Sequence, residues 1–221
     1  AQTSCSGSGA PTATAGGASV SLPTTRAVPA NGQCTMTVVV TASTKGYYTN
    51  TIAAGNVSTS VGTNVGPAVA VLQVDSPSVS KVFSPASVQT GSTSTLIITF
   101  SNPLNSIATI TQTFTDVYPA GIVNHTTPAA TDNCGGGNVT ASAGLGTLTM
   151  PIGTQIPALG SCQVSVVVQG TPPATLTGTF VNTVPAGALT TTLGSNTDPA
   201  AATLTIASLA DLRVTKVASV S

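Results

Sequence analysis

Apolar residues along the chain recur with a period of two. Leu96, Ile98 and Phe100 fall on one side of an extended segment, with Thr95 and Thr99 on the other. Val164, Val166 and Val168 repeat the arrangement, and so do Met36, Val38 and Val40. Successive side chains of a strand point to opposite faces, so this spacing predicts half-buried β-strands; a helix would place its apolar residues three and four apart. Turn clusters separate the runs: Ser101-Asn102-Pro103, Tyr118-Pro119-Ala120-Gly121 and Pro185-Ala186-Gly187. Thr on the outward positions suits the pleat and keeps its hydroxyl hydrated. The expectation is an all-β chain folded as antiparallel β-sandwich.

The sequence also aligns with itself. Thr3-Ser4-Cys5-Ser6-Gly7 answers Asp132-Asn133-Cys134-Gly135-Gly136, and Pro29-Ala30-Asn31-Gly32-Gln33-Cys34 answers Pro157-Ala158-Leu159-Gly160-Ser161-Cys162. Tyr48-Thr49-Asn50-Thr51-Ile52 matches Phe180-Val181-Asn182-Thr183-Val184, and Val79-Ser80-Lys81-Val82 matches Val214-Thr215-Lys216-Val217. The offsets are 129, 128, 132 and 135 residues, a drift that small loop insertions produce. Four ordered blocks at one spacing predict a tandem array of β-modules, one complete and one or two partial. Residues 77–207 form the complete module, residues 1–75 correspond to the second half of a repeat, and residues 209–221 to the first strand of another. Half a sandwich would leave its inner face and strand edges in water. Three arrangements answer this. The chain is a window on a longer one, or it is a polymer subunit whose last strand is donated to the open half-module of the next copy, or residues 1–75 close as a smaller sandwich of their own. In the second arrangement the assembly strand carries Leu212, Val214, Lys216, Val217 and Val220. It would supply only the counterpart of residues 77–86, less than the open half lacks. The first two arrangements share a surface that associates end to end.

Composition narrows the class of function. In 221 residues there are five Lys and Arg against five Asp, and charged residues make up 5%, compared with about 25% in ordinary soluble domains. So few cations cannot form the basic stripe that nucleic acid or an anionic membrane surface requires. A mean hydropathy of +0.38 argues against disorder, and no stretch approaches the ~18 apolar residues of a membrane span. Ala1-Gln2-Thr3-Ser4 has neither the charged nor the apolar region of a signal peptide. The four cysteines allow three pairings. Equivalent positions of a repeat should make equivalent bonds, which selects Cys5–Cys34 and Cys134–Cys162. Closing loops of 29 and 28 residues is worth about 3.5 kcal/mol each in the chain-entropy treatment. Such bonds persist only in an oxidising compartment, so the chain is expected at the cell surface or secreted. No two cysteines stand close enough for a zinc site or a redox C-x-x-C motif.

The repeated blocks resemble the bacterial conserved-repeat domain of unknown function numbered eleven and its relatives. Ala210-Asp211-Leu212-Arg213-Val214-Thr215-Lys216 is similar to the start of that family's repeat. Phe83-Ser84-Pro85-Ala86, Thr93-Ser94-Thr95-Leu96, Ser101-Asn102-Pro103 and Asp116-Val117-Tyr118-Pro119-Ala120-Gly121 are similar to its middle. Cys134-Gly135-Gly136, the Pro157–Cys162 block and Asn182-Thr183 are similar to its end. The resemblance covers nearly the whole chain. It implies Ig-like sandwiches strung in tandem through large secreted or cell-surface bacterial proteins, with no catalytic residues to carry over.

Candidate chemistry is sparse. His125, the only histidine, reads as a solvated loop residue, since no G-x-S-x-G elbow exists to present a serine to it. The aspartates at 75, 116, 132, 198 and 211 read mostly as turn-formers and not as a glycosidase pair. Asp132, Asn133 and Asp198 have the right oxygens for calcium but lack the D-x-D-x-D-G run, so no metal and no cofactor are expected. Lys81 and Lys216 stand in the first strand of their modules. In some bacterial surface sandwiches a lysine so placed is joined to an Asn or Asp by an isopeptide bond. Here Asn182 is the partner to test and Asp116 the acid, provided that the three are buried together so that the amine is neutral. A lysine guarding an edge strand against aggregation is the plainer reading. Asn50 and Asn182 are expected to satisfy a neighbouring loop or strand, and Tyr47 and Tyr48 to pack in the core as Leu176 and Phe180 would. N-x-S/T matches at Asn56, Asn124 and Asn138 are expected by chance in so Thr-rich a chain. The function expected is structural and non-enzymatic: a segment or subunit of an extracellular bacterial filament or stalk, self-associating through neighbouring modules. An adhesive module that recognises a glycan or protein through its loop tips is the alternative, and few aromatic or charged residues support it.

Overall fold

The computed structural model describes residues 1–42, 44–171, 176–208 and 214–216. Those residues are all-β, with antiparallel ladders and no helix. They fall into two compact units, Ala1–Thr44 and Lys45–Ser221. The division lies inside the first repeat of the sequence.

The first unit is held by short two-residue pairings. Gln2–Thr3 pairs with Met36–Thr37, Ser6–Gly7 with Arg26–Ala27, and Thr12–Ala13 with Val20–Ser21. Cys5, buried, is bonded to Cys34, and the Arg26 guanidinium donates to the Cys5 carbonyl at 2.7 Å. The alternating run Met36, Val38, Val40 becomes a strand only over Met36–Thr37, and Val39 and Val40 are largely exposed. Its equivalent in the complete module, Val164–Val168, is clamped along its length by Thr93–Asn102. Period two marks what a strand would bury, but a partner strand is needed to form it.

The second unit begins with a hairpin, β1 (Gly46–Ile52) and β2 (Ala68–Val74). The complete module follows with β3 (Ser78–Ser84), β4 (Ser87–Gln89), β5 (Thr93–Asn102), β6 (Phe114–Val117), β7 (Ile122–Asn124), β8 (Thr131–Asp132), β9 (Thr147–Met150), β10 (Gly160–Gly170), β11 (Gly178–Val184) and β12 (Ala200–Ala207). One sheet runs β3-β5-β10-β7, with β8 also on β10; the other runs β4-β12-β11, where β4 and β12 are parallel. A separate ladder pairs β6 with β9. In the first sheet Leu96 lies opposite Val166, Ile98 opposite Val164 and Phe100 opposite Cys162, so the predicted inward rows of β5 and β10 meet on one face. They share a core with Leu204 and Ile206 of β12, Val184 of β11 and Phe114 of β6. Phe114 packs edge-on to Phe100, ring centroids 4.9 Å apart, the geometry aromatic quadrupoles favour. Cys162 of β10 is bonded to Cys134. The Ser84-Pro85 peptide is cis.

The repeat is visible in local detail. Asn64 Nδ2 donates to the Ala53 and Gly66 carbonyls, and its Oδ1 accepts from the Val57 N–H. Asn196 does the same with Pro185, Asp198 and Leu189. Thr59 Oγ1 donates to the Gly62 carbonyl as Thr191 Oγ1 does to Gly194. Every pair is 132 residues apart. The surroundings differ, however. Ala200, Ala202, Leu204 and Ile206 of β12 are buried, whereas their equivalents Ala68, Ala70 and Leu72 of β2 are exposed and Val74 is half-buried.

Candidate functional site

Three strands each turn one polar side chain into the core of the complete module. On β3, Lys81 shares the inward face with Val79 and Phe83, both buried. On β6, Asp116 lies between Phe114 and Tyr118 in the same two-residue rhythm. On β11, Asn182 lies between the half-buried Phe180 and the buried Val184. The Lys81 and Asp116 side chains have no exposed surface, and Asn182 is 0% exposed.

The three side chains meet. Lys81 Nζ donates to both Asp116 oxygens, at 2.7 Å to Oδ1 and 2.8 Å to Oδ2. Asn182 Nδ2 donates to Asp116 Oδ2 at 2.9 Å. Oδ2 therefore touches two nitrogens, one from an amine and one from an amide. Asn182 Oδ1 is buried and has no hydrogen-bond partner, an uncommon state for a buried carbonyl oxygen. Burial pushes the Lys81 amine below its ordinary pKa because the ammonium loses its hydration, and the adjacent carboxylate offsets only part of that. Transferring one proton from Lys81 to Asp116 would erase both charges in a place where charge is costly. The pocket thus holds an amine, an amide carbonyl and a carboxyl group in contact with both nitrogens, the parts of an acyl transfer to nitrogen.

A second buried network lies beside it. Tyr118 donates its phenolic proton to Asn124 Oδ1 at 2.9 Å, and Asn124 Nδ2 donates to the Ser142 and Thr147 carbonyls. Burial, and secondarily the Asp116 charge, raises the Tyr118 pKa above its ordinary value.

Several sequence readings change here. Lys81 does not guard an edge in solvent; it occupies an inward position of β3 and points into the core. Asp116 is not a turn-former, being mid-strand and buried. Tyr47 and Tyr48 do not pack in a core, with 73% and 41% of their surface exposed. Phe180, the equivalent of Tyr48, is half-buried beside Gly121, where an added Cβ would sit 3.0 Å from Leu176 and 3.4 Å from Phe180. Asn50 is likewise exposed, while Asn182 is sealed in.

The remaining candidates have ordinary partners. His125 Nδ1 accepts from the Thr127 N–H. Asp132 accepts from the Cys134 and Val139 N–H groups, and Asn133 from the Gln163 N–H, so these carboxylate and amide oxygens shape their loop. Asp198 lies 3.9 Å from Lys45, both well solvated. Among the described residues no group of three or more His, Cys, Asp or Glu is placed to hold a metal ion. Asn124 is fully buried and its amide is engaged, so it is closed to glycosylation in the folded module, whereas Asn56 and Asn138 are exposed. Of the assembly strand, Val214 and Lys216 are exposed and carry no strand structure. Leu212, Val217 and Val220 lie outside the described residues, as does Asp211. The Tyr118–Asn124 pair and the Asn64 and Asn196 loop locks were not singled out from sequence. For the locks a signal existed, because Gly62-Thr63-Asn64 and Gly194-Ser195-Asn196 stand at the repeat offset.

Fold and site together define an all-β, disulfide-bonded protein with a polar triad sealed in its core. The chain belongs to a family known as a domain of unknown function (DUF7933), which matches residues 1–74 and 77–206. No curated protein sequence matches it. Among solved structures it is similar to the crystal structure of BslA, a bacterial hydrophobin, at 17% identity and a TM-score of 0.40, covering 62% of this chain and 98% of that one.

Proposed function

We propose that this protein is a non-enzymatic structural component of the bacterial exterior, built of tandem Ig-like modules that complete one another end to end. The exposed inner face of the β1–β2 hairpin carries this reading. It bears the same residue types, in the same register, as the β11–β12 hairpin. In β11–β12 that face lies in the core of the complete module, which includes Val79, Phe83, Leu96 and Phe114 of its first half. The occupant that fits the β1–β2 face is therefore a first-half segment of a neighbouring module, equivalent to residues 77–131. Kinship with the conserved-repeat family numbered eleven belongs to the same reading. So does an oxidising location, which two disulfides favour. A charge content of 5% and five basic residues in all leave trypsin-like proteases few points of attack, which suits a long-lived exterior material.

Electron microscopy of the native material tests this. Strings or fibres with a repeat near the length of one sandwich are expected. Compact monomers that bind a glycan saturably would overturn the structural reading in favour of the adhesive one.

A further inference from the structure

The Lys81–Asp116–Asn182 cluster is poorly explained as a stabilising ion pair. A buried pair is often replaceable by apolar residues without loss of stability, and this one also leaves Asn182 Oδ1 unsatisfied. The cluster is instead arranged as a reaction centre with both reactants already in the chain. The carboxylate of Asp116 holds the nitrogen that an amide exchange would acquire, Lys81 Nζ, and the nitrogen that it would expel, Asn182 Nδ2.

We propose that Lys81 and Asn182 become joined by an intramolecular isopeptide bond, formed by the folded module itself with Asp116 as its acid and base. Asp116 takes one proton from the Lys81 ammonium, leaving a neutral amine. The Nζ lone pair attacks Asn182 Cγ, and the carbonyl electrons move onto Oδ1, which no other group occupies. Asp116 delivers its proton to Nδ2 and takes the second proton from Nζ. The carbonyl re-forms, the Cγ–Nδ2 bond breaks, and ammonia leaves. The amide keeps one Nζ hydrogen, and the proton left on Asp116 departs with the ammonia as ammonium. No oxidant, metal or nucleotide is required. The apolar surroundings favour the neutral amine and exclude the water that would hydrate it. The fold holds the reactants side by side, so the step is unimolecular.

The bond would tie β3, where the chain enters the module, to β11, next to the last strand. Tension along the chain would then cross the module through one covalent link, and β5 to β10 would lie outside the load path. This purpose rests on the structural reading above; the bond itself does not.

Intact-mass spectrometry of the purified full-length chain tests the bond. The expected mass is that of the sequence less four hydrogens for the two disulfides and less one ammonia. Trypsin has sites at Arg26, Lys45, Lys81, Arg213 and Lys216. An acylated Lys81 is not cut, so the reduced, denatured chain should give residues 46–213 as one fragment. An unlinked chain gives 46–81 and 82–213. Asp116→Ala and Asn182→Ala should each retain the ammonia, and Asn50→Ala should lose it like the unaltered chain. Full mass with cleavage after Lys81 in the unaltered chain overturns the proposal, whatever the variants do. So does loss of ammonia with Lys81 still cleaved, which marks cyclisation of an asparagine on its own backbone. The masses are read on unassembled protein, so a failure here is distinct from a failure to see fibres.

Discussion

Leu72 and Leu204 occupy one position of the repeat and have opposite surroundings. Leu72 lies across its hairpin from Tyr48, and Leu204 across its own from Phe180, in the same register. Leu204 is sealed, while Leu72 is 39% exposed. Backbone and residue type agree; the difference is the layer that covers one and not the other.

That difference sets two substitution costs. Leu204→Ala should destabilise the module by about 2–5 kcal/mol, because it opens a cavity among residues that can only partly close over it. Leu72→Ala should cost less than about 1 kcal/mol in dilute protein, as surface changes do. Urea unfolding measures both. If the Leu72 cost grows with protein concentration, the hairpin face is being covered by association.

Leu159 supplies a second test. It adopts φ of 50°, as its repeat equivalent Asn31 does at 51°, and each precedes a glycine. The left-handed region crowds Cβ against the following carbonyl and suits Asn far better than Leu. Leu159 is 72% exposed, so its side chain contributes little packing in return. Leu159→Asn should therefore raise stability by roughly 0.5–1 kcal/mol, read as a shift in the urea midpoint at constant slope.

Tyr118 predicts an alkaline dependence. Its pKa is raised in the folded state above the ordinary 10.0 by burial, then by Asp116. Above pH 10 the unfolded chain loses this proton while the folded one keeps it, so the folded state binds more protons and stability falls as pH rises. The contribution is complete below pH 10 and drains away through the raised value. Tyr118→Phe should flatten that alkaline decline. It should also cost about 1–3 kcal/mol at neutral pH, because Asn124 Oδ1 loses its buried donor. Unfolding followed from neutral to alkaline pH reads both effects.

Much of the strand content is legible in period two, because alternation is a property of the backbone. The rows Leu96-Ile98-Phe100 and Val164-Val166-Val168 lie inward as their spacing requires. The same alternation placed Lys81 between Val79 and Phe83, and Asp116 between Phe114 and Tyr118. Where a buried partner exists, that alternation is a better guide to a charged residue's position than its charge is. The repeat selects one pairing of the cysteines, for equivalent positions face equivalent neighbours.

Other features are settled only when strands from different parts of the chain are brought together. Met36-Val38-Val40 has the alternation of Val164-Val166-Val168, but among the described residues it pairs only through Met36–Thr37. Tyr48 has the position of Phe180 but is more exposed. Lys81, Asp116 and Asn182, a candidate trio in the sequence, are separated by 35 and 66 residues, and only the packing of β3, β6 and β11 brings them into contact. Local sequence dictates which way a side chain points from its own strand. What it meets there depends on which other strands pack against that face, and that is decided by the free energy of the whole core.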